Sequence, residues 1–400
     1  MTMSLWMIWT FFIALQYLFP FSVALNLYAT HYDGNIYGLS FEGEGKTLSL
    51  HQTHAQQACG KAPSWITVDS QHGLLWCSDE ASPGTLTALQ VGDGGALEEL
   101  SQVVTPAGGV SSVIYSGDQG QKYLAVAHYG GTSISTWKIP FGDNEEVKPH
   151  EVVNFTLGNP GPAPQDQARP HQVLVDPTES FLVSPDLGAD LVRVFSIDKG
   201  TGKLTTCDSV PYREGSGPRF GAFVESQKDV HGRTLSESML YTVEELGGRL
   251  CSFRVSYMTA ERCPTFKEIS CIVPYPDSHL PTNTTTLSEI HASHKSLHVS
   301  VRNSGEFGGN DSIVTLKLAT DNIADQGPTL FSAGGVIPRA FAVNEKGDYV
   351  AVANQETSNV VIIERDPNSG TLLREVASLR VGLLPQPGQW MGLSSIAWYE

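Results

Sequence analysis

Seven short alternating stretches end in the same way along this chain: GLSF, ALQV, TWKI, VFSI, SFRV, TLKL and IIER. Their last residues are Phe41, Val91, Ile139, Ile197, Val255, Leu318 and Arg365, spaced 50, 48, 58, 58, 63 and 47 residues apart. A period near fifty built from short strands points to a β-propeller. One four-stranded sheet cannot cover both its faces, whereas a ring of sheets covers each face with the next blade. The chain is therefore expected to be all-β, a seven-bladed propeller of four-stranded antiparallel blades.

The segment from Pro170 shows one unit: strand HQVLV, turn DPTES, strand FLVSP, loop DLGAD, strand LVRVFSI and turn DKGTGK. Apolar runs or period-two alternation mark the strands, and Asp, Pro and Gly mark the turns. The N-terminal LNLYATHYDGNIYGLSF supplies only part of a blade, so it is expected to join the last unit, SSIAWYE, and close the ring. The stretches 140–168, 226–238, 257–287 and 303–311 read as loop inserts on the propeller faces. Tryptophans 65, 76, 137, 390 and 398 are expected to pack between blades.

Residues 5–24 form an uncharged apolar run ending in Ser22-Val23-Ala24, which reads as a secretory signal peptide over 1–24, with the propeller over 25–400. No basic residue precedes the run, so an uncleaved anchor is the alternative. Six cysteines (59, 77, 207, 251, 263, 271) suit three disulfides in an oxidising compartment, and their number leaves fifteen pairings open. Asn154, Asn283 and Asn310 begin Asn-X-Ser/Thr sequons, so N-glycans and a secreted location are expected. A net charge of −17 argues against nucleic acid or an anionic membrane as partner and is read chiefly as keeping a secreted protein soluble. The expected partner, a small-molecule substrate, comes from the strand-end residues below. No Cys/His cluster suggests a metal or cofactor. The turn Asp186–Asp190 lacks the further oxygen ligands of a calcium loop, and His291, His294 and His298 read as surface or packing residues.

In a meander the start of the first strand and the end of the second share one sheet edge. If the first strand is innermost, these positions from all blades converge on one channel mouth. The first set is Ser64, Ser111, His171, Arg219, Glu289 and Arg339; the second is His31, Glu80, His128, Asp186, Glu245, Arg302 and Gln355. Arginines there suit a carboxylate or carbonyl, and histidine suits proton transfer near neutral pH. The alternative is that these charges only pair among themselves and tie blades together.

The stretches PHQVLVDP, FLVSPDLGADLVRVF, GSGPRF, LYTVEELGG and VANQETSNVVIIERDPNSGTL resemble the lactonase family of seven-bladed propellers. That family includes bacterial 6-phosphogluconolactonases and fungal 3-carboxy-cis,cis-muconate lactonizing enzymes. The resemblance spans about 25–400 and implies that His171, Arg219, Glu245 and Arg302 are the catalytic set. It leaves His128, Asp186, Phe220, Arg339, Gln355 and Glu289 as substrate-binding candidates. The chain departs from the family pattern at Arg169 and Phe220, where relatives carry His, at His128, where they carry Asn, and at Ser300-Val301-Arg302, which replaces SNR. A reshaped, less polar pocket follows, and a secreted location argues against a phosphorylated sugar lactone. Three functions compete: a lactonase or lactone-forming enzyme; a secondary-metabolism cyclase promoting a cycloaddition; and a non-catalytic secreted glycoprotein that binds a partner on the propeller face.

Overall fold

The structure, a computed structural model, describes residues 23–141, 147–225, 237–258, 263–319, 322–386, 389 and 391–400. Seven antiparallel sheets account for the seven repeats, each a meander running from an inner to an outer strand. Blade 1 is composite: its innermost strand is Leu393–Tyr399, which pairs with Val23–His31, followed by Ile36–Gly43 and Ser49–Gln56. The ring is thus closed by the two ends of the chain, as the repeat requires. Blades 2 to 7 then follow in sequence order, opening at Pro63, Gly109, Pro170, Pro218, Thr286 and Pro338. Apart from Val23 and Ala24, which begin a strand, the expected leader over 1–24 lies outside the described residues.

Each pair of neighbouring blades shares one apolar cluster. Leu75 and Cys77 of blade 2 meet Tyr28 and Ile36 of blade 1, and Val183 and Val194 of blade 4 meet Leu240 and Phe253 of blade 5. The same holds around the ring. This explains why the second strands read as continuous apolar runs: Leu74–Asp79 and Phe181–Asp186 are buried throughout, since both faces are covered. Outer strands such as Leu97–Thr105 alternate, with one face in water. Trp76 and Trp137 fill the interface of blades 2 and 3, and Trp398 fills that of blades 7 and 1. Trp390 lies outside the described residues.

One expectation needs correction. Outer strands Glu151–Asn154 and Thr265–Ile272 run through stretches read as loops: the first is only four residues long, and a bulge at Ile269 breaks the period-two alternation of the second. Trp65 bridges blades, to its neighbour and across the axis: its Nε1 donates to the Ser112 carbonyl of blade 3 at 3.2 Å. Its ring sits 5.7 Å from that of Phe220 in blade 5, so the two close the central channel from opposite sides.

All six cysteines are paired, as Cys59–Cys77, Cys207–Cys263 and Cys251–Cys271. The second joins blade 4 to blade 5; the third links adjacent strands within blade 5. His298 is a packing residue, accepting a hydrogen bond from Arg365 Nε at 3.1 Å.

A β-bulge recurs at the start of each innermost strand. The register steps by one between Pro63 and Trp65, Gly109 and Ser111, Pro218 and Phe220, Leu287 and Ile290, and Pro338 and Ala340. It also steps at Ser394, and between the Pro170–Asp186 bridge and the Leu174–Val183 pair. A bulge adds one residue to one strand and re-aims its side chain. Here the surplus residues include Ser64, Val110, Arg219, Arg339 and Ser394, and all five face the central channel.

Candidate active site at the channel mouth

A cavity of about 400 Å³ opens at the mouth of the channel, lined by Tyr32, Ala62, Glu80, Tyr129, His171, Leu187, Arg219, Glu245, Arg302 and Arg339. Below it a much smaller chamber of about 10 Å³ shares His171, Arg219 and Arg339 and adds Ser64, Trp65, Val110, Phe220, Glu289, Ala340 and Ser394. The bulges supply the lower residues, while ends of second strands supply most of the upper ones.

One carboxylate organises the arginines. Glu245 Oε2 lies 2.7 Å from Arg219 Nε and 2.8 Å from Arg302 Nη2. The Arg219 contact is an ion pair off the hydrogen-bond line; that guanidinium instead donates from Nη1 to the Ser288 carbonyl at 2.6 Å. Burial pushes Glu245 upward, but Arg302 and Arg219 outweigh it and hold the carboxyl below the ordinary glutamate value. Burial, reinforced by the Arg302 charge, brings Arg219 down to about 9, so it still carries its charge at neutral pH. Arg339 faces Glu80 across the mouth at 3.5 Å, and Tyr32 donates its hydroxyl to the same Glu80 oxygen.

His171 stands between two rings, with Tyr129 at 5.5 Å and Phe220 at 5.6 Å. It keeps 6% of its surface open, while its Nδ1 is buried and has no hydrogen-bond partner. Burial, then the charges of Arg219 and Arg339, hold its pKa well below the usual imidazole value. The ring is therefore neutral at neutral pH and has a lone pair available for a proton.

The structure brings His171, Arg219, Glu245, Arg302 and Arg339 to one cavity and places Glu289 and Phe220 in the chamber beneath. His128, Asp186 and Gln355 line neither. Successive strand residues point to opposite sides, so His128 and Asp186 face away from the cavity that the residue after each one lines. Asp186 accepts the N–H groups of Arg169, Gly188 and Ala189 and pairs with Arg193 at 2.7 Å, which makes it a loop clamp. His128 Nε2 meets Ser135 Oγ at 2.7 Å. The residues after them, Tyr129 and Leu187, reach the cavity, as does Tyr32 after His31. Gln355 is at the equivalent position of blade 7 and is buried away from both spaces. By the same one-residue step, Ser111 yields to Val110. Aligning on the turn after the second strand would have found Tyr32 and Tyr129, since each directly follows a strand end.

A sequence model described as "Lactonase, 7-bladed beta-propeller" matches residues 26–384. The chain belongs to this family. Among curated lactonase-family relatives, a probable 6-phosphogluconolactonase of Arthroderma benhamiae is 27% identical over 319 residues, covering 79% of this chain and 77% of that protein. The 6-phosphogluconolactonase of Bacillus subtilis is 24% identical, covering 84% and 89%. The solved structure of a Pseudomonas aeruginosa periplasmic gluconolactonase superposes with a TM-score of 0.71 at 22% identity, covering 94% of this lactonase-family chain and 99% of its own. That likeness is one of fold.

Proposed function

We propose that this lactonase-family chain is a lactone hydrolase that opens a small oxygenated lactone in the mouth cavity. The observation that carries the reading is a neutral His171, with 6% of its surface open, on the wall of a cavity that also holds three arginines. A water attacking the lactone carbonyl must lose a proton, and His171 is the group with a lone pair to take it. Negative charge grows on the carbonyl oxygen as the new bond forms, and Arg219 and Arg302 stabilise it. Glu245 fixes both guanidinium groups beforehand, so little reorganisation is needed at the moment of reaction. Arg339, oriented by Glu80, is placed to hold a substrate carboxylate. Relatives named as lactone hydrolases support the assignment.

The test is turnover of glucono-δ-lactone, its 6-phosphate and carboxylated muconolactones, followed by proton release. His171→Ala and Arg219→Ala are expected to lower kcat/KM by about 10²-fold or more. Equal rates in wild type and both variants would remove the site from consideration.

A second reading, a cyclase that orients an apolar substrate, draws support from Tyr32, Tyr129 and Leu187 on the same walls. It requires ring closure that survives His171→Ala. We also propose that residues 1–24 direct secretion and are removed. The three disulfides support an oxidising destination, and the exposed Asn154 and Asn283 are open to glycosylation.

A further inference from the structure

The lower chamber contains a buried carboxylate that the scheme above does not use. Blade 6 differs from the others at its bulge: Ser288 and Glu289 together oppose the single residue Ser300, and Ser300 Oγ takes the Glu289 N–H at 3.0 Å. That arrangement turns the Glu289 side chain into the channel, where one oxygen, Oε2, accepts the Phe341 N–H at 3.0 Å. Among the described residues no cation lies within ion-pair distance of Glu289, although Arg219 from blade 5 and Arg339 from blade 7 line the same chamber. His171 from blade 4 lines it too, and its Nδ1 is the atom without a partner. The chamber, at about 10 Å³, is the size that admits one water, and it is lined by several polar groups. Ser64 and Ser394 have already committed their hydroxyls to the Ser78 and Pro63 carbonyls, so they do not compete for it as donors.

We propose that Glu289 is the proton partner of His171, linked to it through a single water in the lower chamber. This deepens the lactone-hydrolase reading and rests on it. In that reaction the attacking water's oxygen bonds to the carbonyl carbon, and its proton passes to His171. An imidazolium there faces Arg219, Arg302 and Arg339, all positively charged. The chamber water relieves this by carrying the Nδ1 proton to the Glu289 carboxylate. When the ring C–O bond breaks, the proton returns by the same route and ends on the leaving ring oxygen. Glu289 and His171 finish as they began, and the new carboxylic acid ionises in solvent. Glu289 touches no substrate; it is a positioning residue that acts through His171. Burial pushes its carboxyl up to about 7, against the downward pull of the Phe341 N–H, Arg219 and Arg339, so it exchanges a proton near neutral pH. Glu245 and Arg302 above, with Tyr32 and Glu80 beside Arg339, complete the charged and titratable surroundings.

The experiment is the pH–rate profile of lactone opening by wild type, Glu289→Gln and Glu289→Asp, with thermal melting to confirm that the variants fold. Wild-type kcat is expected to rise through a midpoint near pH 7. Glu289→Gln is expected to lose that rise and about tenfold or more in kcat, with KM little changed. Glu289→Asp keeps a titrating carboxylate and should keep a pH-dependent limb at reduced kcat. A Glu289→Gln profile that superposes on wild type overturns the proposal. If wild type opens no lactone, the functional reading falls, and the ring-nitrogen NMR shifts of His171 decide the linkage separately. A step near pH 7 in wild type that is absent in Glu289→Gln supports it, and identical titrations overturn it.

Discussion

A single oxygen of Glu245 is held by Arg219 at 2.7 Å and by Arg302 at 2.8 Å, joining blades 5 and 6 at the mouth of the channel. Two cations on one anion leave a net positive corner, suited to a developing oxyanion. The same carboxylate keeps the two guanidinium groups from repelling each other.

Replacing Glu245 with Gln therefore leaves two buried guanidinium groups facing each other without compensation. The expected outcome is a loss of about 3 kcal/mol in urea-denaturation stability and of about 10²-fold in kcat/KM. A variant with wild-type stability would show that the arginines do not depend on this carboxylate.

The pH dependence of stability follows from Glu289. Its folded-state pKa, about 7, is raised above the ordinary glutamate value of 4.5. Its contribution is fully present below the unfolded value and is lost as pH rises through about 7. Between pH 4.5 and 8 this site removes on the order of 3 kcal/mol. Glu289→Gln should therefore flatten that stretch of the stability curve and make the protein more stable than wild type at pH 8. Chemical denaturation at several pH values checks this.

Tyr32→Phe removes the hydroxyl that donates to Glu80, the partner of Arg339. If Arg339 grips a substrate carboxylate, the variant should raise KM several-fold for carboxylated lactones and leave neutral lactones nearly unaffected. The expected loss is about 1 kcal/mol of binding. Steady-state kinetics on both substrate types separates the outcomes.

Cys207–Cys263 joins blades 4 and 5 across 56 residues of sequence. A double Cys→Ser variant should lose about 3 kcal/mol of stability, mainly because the unfolded chain regains freedom. A melting temperature unchanged from wild type would argue against this linkage.

The architecture was legible in the sequence because a blade interface needs the same apolar pattern each time. Phe41, Val91 and Ile139 recur near fifty residues apart for that reason. His171, Arg219, Glu245 and Arg302 were legible too, as charged or titratable residues at strand ends. Their neighbours were less so. His128 and Tyr129 are adjacent, and the choice between them depends on strand parity at the turn, which a repeat with intervals from 47 to 63 residues does not define.

The sequence alone determined that seven blades close through the chain ends and that a charged funnel sits at one face. Tertiary structure decided which residues look into it. The recurring bulge turns Arg219 and Arg339 toward the axis, Trp65 meets Phe220 across the channel, and Glu289 is sealed beneath His171. Each outcome depends on register and on contacts between blades distant in sequence, which local composition does not encode.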